Sequence, residues 1–168
     1  MNFTTTLLYF TSFLTLMNPM GIMPVFLTMT SQLSKRERRK TALKAVLTAT
    51  MILILFAFAG EYLFDFFGIS VNGLKVVGGV LFFIMGYDML NARLSPMKIS
   101  PEDAEKYVDD IAITHLGIPM IAGPGAITNA IVLMGESDNV ANKGMVILSI
   151  VLVSVVLMAT LFGAVGIT

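Results

Sequence analysis

The sequence predicts an all-α, polytopic transmembrane helix bundle of five spans, and three observations lead there. Residues 3–30, 111–135 and 144–168 contain no Asp, Glu, Lys or Arg, and each run is as long as the roughly 20 apolar residues a helix needs to cross a bilayer. Of 168 residues, 56% are hydrophobic and 13% charged, about half the charged share of a soluble domain, which excludes a soluble single domain. The charges that remain fall in clusters between the apolar runs. Eleven Lys and Arg balance eleven Asp and Glu, so there is no basic excess of the kind a nucleic-acid binder carries. With no cysteine, disulfides, thiolate metal sites and a Cys nucleophile are excluded.

The first span covers about 3–30. Its start lacks a basic region and a small-residue cleavage site, so it reads as a retained span rather than a signal peptide. Pro19 and Pro24 lie inside it. Lys35, Arg36, Arg38, Arg39, Lys40 and Lys44 follow, opposed only by Glu37. Ser34 and Glu37 have capping-box spacing, so the second helix starts in water, enters the membrane near Ala45 and runs to about Leu63. Gly68 and Asn72 mark a turn. The third span, about 70–90, is the most polar, with Lys75 and Asp88. Residues 93–110 are a polar connector in which Ser100-Pro101 opens a short helix. The fourth span, about 111–135, contains Pro119 and Pro124, and the fifth runs from about 144 to the end. Loop 35–44 holds six of the eleven basic residues and loop 61–69 none. The positive-inside rule therefore places 35–44 in the cytoplasm and the N-terminus outside.

Two segments resemble each other. Asn18-Pro-Met-Gly-Ile-Met-Pro24 matches Ile118-Pro-Met-Ile-Ala-Gly-Pro124 at an offset of one hundred, and Phe67-Gly-Ile-Ser70 matches Val165-Gly-Ile-Thr168 at ninety-eight. Three spans separate the copies, so the units would be inverted in the bilayer, as in many transporters. The expected organisation is one transmembrane domain, 1–168: unit one at 1–92, a cytoplasmic connector at 93–110, and an incomplete unit two at 111–168. The repeat calls for a sixth span just where this chain ends, so a fragment or a truncated member is expected.

Both proline pairs fall near mid-depth of their spans. Proline lacks an N–H and crowds the carbonyl four residues back, and Gly21, Gly123 and Gly125 permit unusual backbone angles. Freed backbone polar groups persist in hydrocarbon only where protein buries them or a cavity receives them. A helix N-terminus attracts a carboxylate and a carbonyl end attracts an ammonium, so a small zwitterion is the guest such a site would suit. Asn18 and Asn129 add amides, and Thr15 and Thr128 add hydroxyls. A single proline commonly only kinks a membrane helix; its pairing with glycine, repeated at mid-depth, is what points to a site. Asp88 is a candidate for ion or proton coupling, although its depth also suits an interfacial carboxylate. Lys75 fits a snorkelling role, and the lone His115 cannot build a metal site. The basic run 35–44 suits lipid headgroups, while Gly78-Gly79, Gly86 and Ala45-x3-Ala49 suit helix packing. The spans hold no His cluster, paired carboxylates or Ser/His/Asp set, so an enzyme is not expected.

The pattern Asn18-Pro-x-Gly-x-x-Pro24-x-Phe-Leu, then Gly78-Gly79 and Gly86-x-x-Met-Leu90, then Pro119-x-Ile-Ala-Gly-Pro-Gly-Ala-Ile-Thr128, resembles the MarC family of bacterial inner-membrane proteins, which is similar to the LysE-type exporters. The resemblance implies six spans, a multi-pass inner-membrane location and, from some members, transport of small neutral amino acids. It places Asn18, Pro19, Gly21 and Pro24 across a substrate site from Gly123, Pro124, Gly125 and Thr128, and the amide of Asn129 adds that residue to the candidate substrate-binding set. The expected function is a secondary transporter of a small neutral solute, with the lipid bilayer as environment and no metal, cofactor or nucleic acid. A channel, a non-transporting scaffold or an inactive truncated member is the alternative. Substrate, direction, coupling ion and oligomeric state, a homo-oligomer included, stay open.

Overall fold

The computed structural model describes the backbone of residues 3–68, 70, 72, 73, 76, 79, 80, 83, 87, 108, 111–137 and 139–167. Among these there is no strand. The sequence builds helices α1 (Phe3–Met17), α2 (Pro19–Met29) and α3 (Lys35–Phe67), a π-helix at Ile111–Ile121, then α4 (Pro124–Gly135) and α5 (Val140–Ile167). Three stretches are long and apolar enough to cross a membrane: Thr4–Met29, Lys35–Gly60 and Val140–Gly166, with Pro124–Gly135 as a shorter apolar helix. The chain is a helical integral membrane protein. The expected third span is helical at each of its described positions between 72 and 87. Lys75, Gly78, Gly86, Asp88 and the connector 93–110 apart from residue 108 lie outside the described residues, as do the side chains of His115 and Pro119.

Local chemistry sets the helix ends. Ser34 Oγ accepts from the Glu37 N–H at 3.4 Å, while the Glu37 carboxylate accepts from the Ser34 N–H at 2.8 Å and the Ser34 hydroxyl at 2.6 Å. This capping box fixes the start of α3. Arg38 donates back to the carbonyls of Leu33 at 3.0 Å and Ser31 at 2.8 Å, tying the loop after α2 to the new helix. The 33 residues of α3 span about 50 Å, well beyond a hydrocarbon core of about 30 Å. Its basic first turns therefore reach past the apolar layer. Gly68, at φ 64, stops it in the left-handed region that favours glycine.

Helix α3 packs mainly through small residues and shows large ones outward. On α3, Ala42, Ala45, Ala49, Leu53 and Ala57 are buried, whereas Leu43, Leu47, Met51, Leu55, Phe58 and Tyr62 are exposed. Apolar side chains gain nothing by leaving lipid for protein, so close backbone approach decides which face turns inward. The inward face of α3 packs on the π-helix, α4 and α5, and α5 packs on α1, α2, α3 and α4. Thr50 of α3 donates to Ser154 of α5 at 2.7 Å, and Ser154 donates to the Ile150 carbonyl at 2.8 Å. Thr6 of α1 reaches the Met145 sulfur of α5 at 3.3 Å.

At Gly60 the absent side chain of α3 leaves room for Ile131 of α4. A Cβ there would lie 2.3 Å from Ile131 Cγ1, and Ile131 is itself buried. Gly60→Ala is expected to destabilise the bundle by about 1–3 kcal/mol, as overpacking does, with Ile131→Ala restoring most of the loss in the double variant. Thermal unfolding in detergent of the four proteins checks this; an additive double variant contradicts it.

Candidate functional site

The first broken segment is interrupted at Asn18. Its φ of 38 and ψ of 68 are left-handed, a region Asn tolerates better than most residues because its short amide can bond locally. Here the Asn18 Oδ1 accepts from the Gly21 N–H at 3.1 Å, the usual reach of an N-cap onto N3. Pro19 follows at the first helical position, where its missing N–H is not needed. Gly21 is needed for the cap: a Cβ there would lie 2.2 Å from Asn18 Nδ2. The Asn-Pro-x-Gly motif is thus a self-capped helix restart. Pro24 sits inside α2 with its side chain exposed, and the Thr28 hydroxyl donates to its carbonyl at 2.9 Å.

The second broken segment restarts differently. The π-helix closes with a five-residue bond from the Ala122 N–H to the Gly117 carbonyl at 2.9 Å. The chain then turns through Gly123, whose φ of −68 and ψ of 166 are extended, into Pro124 at the first position of α4. No side chain caps this helix. Helix geometry leaves the first N–H groups without an intrahelical acceptor; Pro124 has none to offer, so these are Gly125 and Ala126. Both residues are buried, as are Ile121, Ala122 and Gly123. The first intrahelical bond runs from Ile127 N–H to Gly123 carbonyl at 3.0 Å. The Thr128 hydroxyl donates to the Pro124 carbonyl at 2.7 Å, so Pro24 and Pro124 carry the same threonine brace.

The two broken segments lie side by side with opposite sense. Helix α1 packs on α4, and α2 packs on the π-helix, the pairing that antiparallel neighbours with level breaks give. Among the described residues a side-chain link joins them: Asn129 Nδ2 donates to Ser12 Oγ at 3.0 Å, and Ser12 donates on to the Tyr9 carbonyl at 2.9 Å. Ser12 stands six residues before Asn18, and Asn129 six after Gly123. Beside this link an open groove of about 400 Å³ is lined by Leu8, Thr11, Ser12, Thr15 and Leu16. Thr11 and Thr15 are exposed, and their hydroxyls donate to the carbonyls of Leu7 at 2.8 Å and Thr11 at 2.9 Å, leaving oxygen lone pairs toward the groove.

The sequence profile described as MarC family integral membrane protein matches residues 3–167. The chain belongs to the MarC family. Curated relatives carry the designation UPF0056 membrane protein. One from Methanocaldococcus jannaschii is 39% identical over 148 residues, covering 87% of this chain and 72% of its own length. One from Pyrococcus horikoshii is 35% identical over 147 residues, covering 88% and 70%. One from Archaeoglobus fulgidus is 36% identical over 162 residues, covering 93% and 76%. No solved structure matches.

Within this MarC chain the residues expected at the site separate into two groups. Buried Gly123, Gly125 and Thr128 and half-buried Pro124 form an uncapped restart, and Asn129 reaches the other segment. Asn18, Pro19 and Gly21 form the opposite restart, where the Asn18 amide oxygen is engaged on its own helix; Pro24 faces outward. Asp88 lies outside the described residues. The Thr15 and Thr128 hydroxyls donate to main-chain carbonyls of their own helices. Ser12 was not singled out from the sequence. Its signal was a hydroxyl row, Thr11-Ser12 and Thr15, one helical turn across in the uncharged first span.

Asn18→Ala is expected to cost about 1 kcal/mol of helix stability. Gly21→Ala is expected to cost a similar amount by displacing the same amide, and adding it to Asn18→Ala should then cost little more. Unfolding midpoints of the two single variants and the double variant decide this; two full additive losses contradict a shared cap.

Proposed function

We propose that this protein is a secondary transporter of a small neutral solute, an amino acid being the best fit, bound at mid-membrane between the two broken segments. The observation that carries the reading is the N-terminus of α4: a helix end with no side-chain cap, buried at the level where its partner segment is also interrupted. The positive end of a helix dipole with two unclaimed N–H groups favours a carboxylate. Asn129 and Ser12 supply polar groups within the same layer. Asn18 closes the opposite restart on itself, so the two ends are unequal: one is satisfied by the protein and the other awaits a guest.

The repeat supports alternating access by two inverted units. Pro19 and Pro124 begin equivalent helices, as do Lys35 and Val140, and each pair is one hundred and five residues apart (124 − 19 and 140 − 35). The caps keep that spacing: Ser34 takes the N–H of Glu37, and Asn139 takes that of Asn142 at 2.8 Å. Helix α3 crosses the broken segment of unit two, and α5 crosses that of unit one. Rocking one pair against the other around the breaks would expose the site to each side in turn. The basic run 35–44 orients the N-terminus away from the cytoplasm in a multi-pass inner-membrane arrangement.

Counterflow of labelled alanine in liposomes of the full-length protein tests the reading. Pro19→Ala and Pro124→Ala, which remove the restarts, are expected to lower flux roughly tenfold at equal membrane levels. Pro24→Ala, at an exposed position inside a continuous helix, is expected to stay within about twofold. Saturable exchange in none of these proteins, or equal losses at all three prolines, contradicts it; conductance without exchange would indicate a channel.

A further inference from the structure

We propose that Gly117 is a positioning residue that holds residues 111–121 in π winding, and that conversion of the same residues to α winding is the movement that re-aims the α4 N-terminus. The use of the movement rests on the transport reading above; the winding and its control by Gly117 do not.

A π-helix of eleven residues is far longer than the single turns in which this winding usually occurs, so something specific must sustain it. Gly117 is the residue whose absent side chain allows it. A Cβ at 117 would stand 2.7 Å from the Ala112 carbonyl oxygen and 3.3 Å from that of Ala45 on α3. The first of these atoms belongs to its own helix, five residues back, the separation that π winding brings together. No substituent fits there while the winding lasts. The bond from Ala122 N–H to the Gly117 carbonyl at 2.9 Å carries the winding into the turn before Pro124.

Burial follows the same period. Ile113 and Ile118 are 40% and 45% exposed, five residues apart, while Ala112, Leu116, Gly117 and Ile121 are buried. In α winding, at about 100° per residue, Ile113 and Ile118 would point about 140° apart. The corresponding half of the first broken segment, α1, is α-helical up to its break, so both windings occur in one chain at equivalent places. Across the contact, α3 presents Ala42, Ala45 and Ala49, all fully buried, a low-relief surface against which a helix can rotate. Tightening the wide turns lengthens the segment toward the α value of about 1.5 Å per residue. That displaces the Ala122–Gly123 turn and the unclaimed N–H groups behind it.

The test uses spin labels, which the absence of native cysteine makes simple. Full-length Ile113→Cys and Ile118→Cys proteins are labelled in lipid vesicles, and oxygen accessibility is measured with and without Gly117→Ala. Comparable accessibility at both sites is expected with Gly117, and an approximately threefold drop at 118 relative to 113 with Gly117→Ala. A low 118 signal already in the Gly117 background, or equal changes at both sites, overturns the proposal; the latter would mean a rigid shift away from α3. Should Gly117→Ala fail to insert, deleting Gly117 serves instead. It places the two labels four positions apart, on one α-helical face, so both should stay accessible, and loss at 118 overturns the winding. Alanine counterflow on the parent vesicles separates the two readings. Its absence with intact label ratios sinks transport alone, and exchange with the wrong ratios sinks this proposal alone.

Discussion

Hydrocarbon offers main-chain N–H and C=O groups no partner, and the described structure is organised around two places where the helical ladder stops inside an apolar span. Each stop exposes peptide groups that cost several kcal/mol if left bare in lipid. The chain meets that demand in two ways. At Asn18 the residue's own amide takes the N–H of Gly21, and the break is locally closed. At Gly123 no side chain does so, and the surrounding protein hides the break instead, with Ile121, Ala122, Gly125 and Ala126 all buried. The unequal treatment of two similar interruptions separates a scaffold from a site.

Packing serves the same end. The π-helix can press against α3 only because Ala45 and Gly117 bring main chain close to main chain, and α4 only because Gly60 leaves room for Ile131. Polar side chains are few and join elements that the sequence separates widely: Ser12 to Asn129, and Thr50 to Ser154. Interhelical bonds of this kind contribute about 0.6 kcal/mol each in membranes, too little to hold the bundle. Their value is in register, since they fix which turns of α1 and α4, or of α3 and α5, stand opposite.

Much of this was legible in the residues. The uncharged runs located the first and last of the long apolar helices to within a few positions, and Ser34 with Glu37 marked the start of α3 to the residue. The proline–glycine clusters located both interruptions. What escaped was register. Matching Pro19 with Pro119 and Pro24 with Pro124 maximises identity, yet the helices restart at Pro19 and Pro124, because a restart needs a residue before the proline that can leave helical angles. Asn18 does so at φ 38 and Gly123 at φ −68, ψ 166, whereas Ile118 stays in the winding. The π winding was also hidden, since no pattern distinguishes a five-residue period over only eleven residues when neighbouring α-helices are apolar on every side. Ser12 escaped for a related reason: one hydroxyl among several is unremarked until the fold supplies its partner.

Cysteine cross-linking between the two broken segments probes the level, antiparallel arrangement most directly. In native membranes, Ser12→Cys paired with Asn129→Cys in the otherwise cysteine-free chain is expected to form an intramolecular disulfide readily on mild oxidation, whereas Ser12→Cys paired with Leu116→Cys, on the far side of the second break, is expected not to. The reverse pattern, or no cross-link at 12 and 129 in a folded, inserted protein, would mean that the two interruptions do not meet and that no shared site lies between them.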